Sequence, residues 1–137
     1  MTPRQVVDYM MEKDYFSQFL GIKIIDIKES YSLIEMTITQ QMLNGLGTVH
    51  GGVTFAFADS AFAFSSNNKG DAAVALSVTI NFTKAGREGD VLRAESKLVN
   101  ETRKTALYDI NITNQNDELV AKFVGTVYKI GKKVTEL

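Results

Sequence analysis

The chain has no cysteine and only one histidine in 137 residues. Without cysteine there is no disulfide, no thiolate metal site and no cysteine nucleophile, a composition that suits a reducing cytoplasm. His50 alone leaves a catalytic zinc without its usual set of ligands, so no metal is expected. Neither G-x-S-x-G nor another nucleophile-elbow pattern occurs, which argues against a serine triad. Charge of neither sign predominates: 15 basic residues face 16 acidic ones. Nothing there points to nucleic acid or to an acidic solvating tail. No apolar run approaches the length of a membrane span, and the opening MTPRQVVDYMMEKD is too polar for a signal peptide. What is present is a chain 45% apolar, long enough for one core and expected to form a single domain over residues 1–137.

Thr2-Pro3-Arg4-Gln5 has the pattern of a capping box with proline at the first helical position, so a short helix is expected to about Asp14. GIKIIDIKES reads as a strand with a twist or bulge near Ile24, because its isoleucines change face. YSLIEMTIT alternates, with Ile34, Met36 and Ile38 on one side. Residues 40–51, which hold Asn44, Gly45, Gly47 and Gly51, read as a loop. From Gly52 to about Asn67 the chain is apolar on nearly every side, as in a helix buried in a core, with Asn67, Asn68 and Gly70 as its stop. Beyond it the pattern is all strand. Val74, Leu76, Val78, Ile80 and Phe82 share a face; Leu92, Ala94 and Leu98 follow; then Ala106, Tyr108, Ile110 and Ile112. The polar turns between them imply an antiparallel meander. The expected architecture is α+β: a curved antiparallel sheet of five to six strands around one long apolar helix, with a short helix in front. Such a helix is too apolar for its own sheet to cover, so another subunit is expected against it or against the sheet edges.

Within that helix Asp59 is the one charged residue, among Phe55, Ala56, Phe57, Ala58, Ala61, Phe62, Ala63 and Phe64. A buried carboxylate without a partner costs several kcal/mol, so its presence asks for a chemical reason. The helix start offers one. Its first N–H groups lack intrahelical acceptors and carry the positive end of the dipole, so they can polarise a carbonyl and hold an oxyanion. Gly51 and Gly52 let the backbone approach a substrate closely. Seven residues separate Gly52 from Asp59, about 10.5 Å along a helix. That is too far for Asp59 to attack a carbonyl bound at its own Gly52.

Asn44-Gly45, His50-Gly51-Gly52, Asp59-Ser60-Ala61, Asn81-Phe82 and Gly89-Asp90, in this order of elements, resemble a hotdog-fold thioesterase of the phenylacetate-degradation (PaaI-like) branch. The resemblance runs from about Phe16 to Gly131. It implies hydrolysis of an aromatic or medium-chain acyl-CoA, with coenzyme A as part of the substrate and no cofactor. It also implies a homodimer as catalytic unit and a homotetramer as assembly. The N–H of Gly52 and the side chain of Asn44 would come from one subunit and Asp59, as base or nucleophile, from the other. His50 would hold the loop or touch the thioester sulfur. Gly51 would contact substrate. Some relatives carry a Ser or Thr early in the next strand; Ala75 or Leu76 falls nearest that point here, with Ser77 and Thr79 close by as substrate-binding candidates. A proline common in the following turn is replaced by Lys84-Ala85-Gly86. Lys84, Arg87, Arg103 and Lys104 are candidates for the phosphates. Two alternatives stay open: hydration or dehydration of an acyl thioester, and an acyl-CoA-binding module without activity.

Overall fold

The structure is a computed structural model describing residues Met1–Leu137. Helix α1 (Pro3–Met11) is capped by the box its sequence predicts: Gln5 N–H donates to Thr2 Oγ1, and Thr2 N–H to Gln5 Oε1. A second short helix, α2 (Tyr15–Phe19), follows, with Asp14 as its N-cap. Five residues are too few for helical periodicity to show in the sequence. Strands β1 (Lys23–Lys28) and β2 (Tyr31–Thr37) form a hairpin, with the expected bulge between Ile24 and Asp26. Helix α3 (Gly51–Asn67) then crosses to β3 (Asp71–Phe82), and β4 (Val91–Glu101), β5 (Thr105–Thr113) and β6 (Leu119–Lys133) complete the chain.

All six strands join one antiparallel sheet in the order β1-β2-β4-β5-β6-β3. The expected meander holds for β4, β5 and β6. β3 does not precede β4 in space; it lies beyond β6, at an edge, because α3 carries the chain across the sheet before β3 forms. Burial follows the alternation. Ile34 and Met36 of β2, Leu92 and Ala94 of β4, and Ala106, Tyr108, Ile110 and Ile112 of β5 are buried against α3. From the helix come Phe57, Ala58, Ala61, Phe62 and Phe64, all at most 2% exposed. Each fully buried phenylalanine contributes about 1.5–3 kcal/mol. Phe62 meets Tyr108 and Phe123 edge-on, at 6.0 and 5.5 Å between ring centres. Its ring lies where a side chain at Gly125 would stand, 2.7 Å from an ideal Cβ, so glycine there is a packing requirement.

Two surfaces are left unpaired. Along α3 the less buried residues Gly52, Ala56, Asp59, Ala63 and Ser66 recur at four- and three-residue steps, one stripe facing away from the sheet. β3 has a neighbour on one side only and exposes Val74, Leu76 and Phe82 at 49, 63 and 55%. An apolar edge strand of this length invites a further strand.

β3 also departs from its sequence pattern. Its pairing with β6 shifts register between Ala75 and Ser77, leaving Leu76 as the extra residue of a bulge. Ala75 lies opposite Val127, but Val78 lies opposite Gly125 and Ile80 opposite Phe123. The helix-facing side therefore changes from odd to even numbers at the bulge. Val74 and Leu76 do not share a face with Val78, Ile80 and Phe82, as plain alternation had implied.

Candidate active site

The loop before α3 is built by Asn44. Its Oδ1 accepts from the N–H groups of Leu46 (2.9 Å) and Thr48 (3.2 Å), and its Nδ2 donates to Thr48 Oγ1 (3.1 Å). These bonds close a turn of the kind Asn favours. The side chain thus has a structural task, with one Nδ2 hydrogen left over. The loop delivers His50 to the N-cap position, and α3 begins at Gly51, one residue earlier than the expected start at Gly52. His50 Nδ1 accepts from the N–H of Gly52 at 2.8 Å. Nδ1 is therefore unprotonated, and in the neutral ring the proton sits on Nε2 and faces outward.

This cap changes which donor is free. Of the first four helical N–H groups, Gly52 is held by the imidazole, while Val53 and Thr54 both donate to His50 O at 2.9 and 3.2 Å. The N–H of Gly51 has no acceptor. The open donor at the positive end of the helix is Gly51, where sequence reading selected Gly52. It borders a groove of about 380 Å³ whose walls include Thr48, Thr54, Phe82, Lys84 and Gly86. Lys84 stands on this groove and also pairs with Glu118 at 3.3 Å. Arg87, Arg103 and Lys104 are not among its walls.

Asp59 lies further along the same stripe, half-buried and without a hydrogen-bond partner in its own chain. Burial pushes its pKa above the ordinary carboxylate value, and the charge of Asp14 pushes it further the same way. The eight residues from Gly51 to Asp59 span about 12 Å of helix. One chain therefore holds the open donor and the unpartnered acid apart, as the sequence offset required.

Ser77 and Thr79 do not join either group. They pair with Thr126 and Val124, and the bulge at Leu76 turns both side chains to the side of the sheet opposite α3. Within one chain the fold does not bring them to the open donor or to Asp59; Ala75 and Val78 occupy the helix-facing positions. Asp14 was not visible from the sequence. Only its cap position before α2, a helix too short for periodicity, could have drawn notice. No group of three or more His, Asp or Glu side chains converges on a metal-sized space, and no helix is long and apolar enough to cross a membrane.

A sheet wrapped round one apolar helix, with an open N–H at the helix start and a lone acid midway along it, defines a class. Residues 46–121 match the family model described as the thioesterase superfamily. The chain belongs to that superfamily, in its PaaI-like branch, and is a thioester hydrolase with the hotdog fold. It is 43% identical over 126 residues to the acyl-coenzyme A thioesterase PaaI of Escherichia coli K12, covering 92% of this chain and 90% of that one. It is 40% identical to a putative esterase of Archaeoglobus fulgidus over 93% of this chain and 83% of the relative. The solved E. coli PaaI protein of the phenylacetic acid degradation operon superimposes with a TM-score of 0.94 at 41% identity, covering 96 and 95% of the two chains. The Streptococcus mutans protein smu.793, solved bound to acetyl CoA, superimposes at 0.79 with 30% identity, covering 81 and 90%.

Proposed function

We propose that the chain hydrolyses acyl-CoA thioesters carrying an aromatic or medium-length acyl group, in a site shared by two subunits. The observation that carries this reading is the separation on α3: an open donor at Gly51 and a partnerless acid at Asp59, too far apart to serve one carbonyl. Two copies related by a twofold axis bring the donor of one to the acid of the other, and do so twice. The free edge of β3 supports such pairing, since joining it to its symmetry mate would extend the sheet and cover Val74 and Leu76. A further association into a tetramer would bury the exposed Tyr15, Phe16 and Phe19, which are 73, 56 and 78% accessible. The acyl-CoA assignment is supported by the names of the relatives, two of which were solved with coenzyme A or its acetyl ester.

In this reading the thioester carbonyl accepts the Gly51 N–H of one subunit. The dipole of α3 adds to the pull on its oxygen. Asp59 of the other subunit removes a proton from water as the water oxygen adds to the carbonyl carbon. The tetrahedral oxyanion collapses, the C–S bond breaks, and the sulfur leaves as thiolate or takes the proton back from Asp59. The alternative is direct attack by the Asp59 carboxylate on the carbonyl carbon; the C–S bond breaks, the coenzyme A thiolate leaves, and water then opens the mixed anhydride to the free acid and the Asp59 carboxyl group. Both routes need Asp59 ionised and poorly solvated. His50 fixes Gly52 and the loop through Nδ1, and its Nε2–H can donate to the departing sulfur. Asn44 holds the turn that sets this geometry. Lys84, on the wall of the groove, would meet a phosphate of coenzyme A. The reaction is hydrolytic and calls for no resident cofactor.

The test is thiol release from a panel of phenylacetyl, hydroxybenzoyl and fatty acyl-CoAs, with wild type and Asp59→Asn. Turnover of at least one aromatic or medium-chain substrate is expected, with a loss of about 100-fold or more in the variant. Full activity in Asp59→Asn would remove the acid from the mechanism. Wild-type inactivity across the panel would remove the substrate assignment.

A further inference from the structure

A second cavity, of about 360 Å³, lies between the N-terminal segment and the far half of α3. Tyr9 and Met10 of α1 form one wall, and Ala63 of α3 with Ala73 of β3 another. The segment above it is pinned at both ends. Val6 packs with Ala72 and Val134, and the Ser17 hydroxyl is hydrogen-bonded to that of Ser60 at 2.8 Å. Between these pins the chain bridges over the helix and leaves the space beneath it open. The lining differs from that of the groove at Gly51. Six of the nine residues around this cavity are hydrophobic, against four of ten around the groove. Its polar side chains are engaged elsewhere. Asn67 Nδ2 donates to the carbonyls of Ala63 and Ala73, and its Oδ1 accepts the Ala73 N–H. Asp14 accepts the N–H and the hydroxyl of Ser17. Lys13 is exposed, with Nζ 5.3 Å from the centre of the Tyr9 ring. Such walls suit an apolar guest and not a phosphate or a chain of amides.

The cavity adjoins the reacting bond for two reasons. Ala63 follows Asp59 by four residues, so the two are neighbours on one side of α3, about 6 Å apart along its axis. The second reason is the course of β3. A Cβ at Gly51 would stand 3.4 Å from the Phe82 ring, while Asn67 is bonded to Ala73, so α3 runs antiparallel to β3. Antiparallel pairing of β3 with its symmetry mate sets the Phe82 end of one chain against the Ala73 end of the other. It carries the partner's Gly51 toward Ala63 and the mouth of the cavity. We propose that this cavity is the acyl pocket of the shared site, with Ala63 and Met10 setting which acyl groups are taken. Coenzyme A lies along the groove of one subunit, past Lys84, and the acyl group passes Asp59 of the other into the space between Ala63 and Met10. The proposal rests on the two-subunit reading of the site. By length alone, a butyryl group stops short of Ala63, whereas octanoyl and phenylacetyl groups reach past it.

The experiment measures kcat/KM for butyryl-, octanoyl-, dodecanoyl- and phenylacetyl-CoA in wild type, Ala63→Leu and Met10→Ala, with melting temperatures to confirm folding. Ala63→Leu fills the pocket near its mouth. The ratios of octanoyl- and phenylacetyl-CoA to butyryl-CoA are expected to fall by at least about tenfold. Met10→Ala opens the pocket from the opposite wall. The ratio of dodecanoyl- to octanoyl-CoA is expected to rise by at least about threefold. The two variants act from different elements and shift selectivity in opposite directions, which a general loss of stability or of pairing does not do. Ratios unchanged in both variants would overturn the proposal, whether activity is kept or is lost equally on every substrate. Asp59→Asn at full activity, or a wild type inactive on every acyl-CoA, would instead strike the reading beneath it and the pocket with it, so the two failures are distinguishable.

Discussion

The start and the middle of the open stripe on α3 are chemical opposites. At its start, around His50, Gly51 and Gly52, there are donors and no acid. Midway along, at Asp59, there is an acid and no donor. The start is well satisfied, with every early helical N–H except that of Gly51 engaged. The middle is held at a cost, a half-buried carboxylate whose pKa is raised by burial and by Asp14. The contrast teaches why the proposed site draws on two chains: the rise of a helix holds this donor and this acid about 12 Å apart within one.

The largest effect expected from breaking this arrangement is at the acid. Asp59→Asn should lower kcat in the thiol-release assay by about 100-fold or more, with KM little changed. Next comes the donor. Gly51 is the first residue of α3 and His50 before it is extended, with φ −62° and ψ 133°. Proline is tolerated at such a position; it removes the N–H and brings a Cβ into ordinary contact with the Phe82 ring at 3.4 Å. Gly51→Pro should therefore keep the melting temperature near wild type and lose about 100-fold in kcat, the scale of one oxyanion donor.

Smaller effects fall on the scaffold that holds both ends. Gly125→Ala drives a methyl into the Phe62 ring and should cost about 1–3 kcal/mol in denaturant unfolding. The last prediction separates function from stability. A carboxylate with a raised folded pKa binds protons more tightly folded than unfolded, so its contribution to stability falls as pH rises. Asp59→Asn should accordingly melt higher than wild type at pH 8. The gain should shrink as pH falls toward about 4, where the unfolded carboxyl also protonates. A variant less stable than wild type at pH 8 would mean that Asp59 has a structural partner.

Much of this contrast was legible in the sequence. The charge of Asp59 among alanines and phenylalanines, the glycine pair after His50 and the seven-residue offset are local facts, readable from composition and helical rise. The alternation of β2 and β5 was readable for the same reason. What escaped depended on distant partners. The bulge at Leu76 exists only through the register with β6, and it moved Ser77 and Thr79 to the other side of the sheet. The edge position of β3 depends on where α3 delivers the chain. Gly51 became the open donor because the His50 ring folds back onto Gly52, a choice of side-chain rotamer. The link of α2 to α3 runs through a hydrogen bond between residues 43 positions apart, Ser17 and Ser60.

Mixed dimers test directly whether one site needs two chains. Gly51→Pro and Asp59→Asn chains, each inactive alone, are co-expressed with different tags and assayed together. A shared site predicts that each mixed dimer carries one intact site and one doubly defective one, so a random mixture regains about one quarter of wild-type activity. If donor and acid served the same carbonyl within a single chain, every site would carry one defect and the mixture would stay as inactive as its parents.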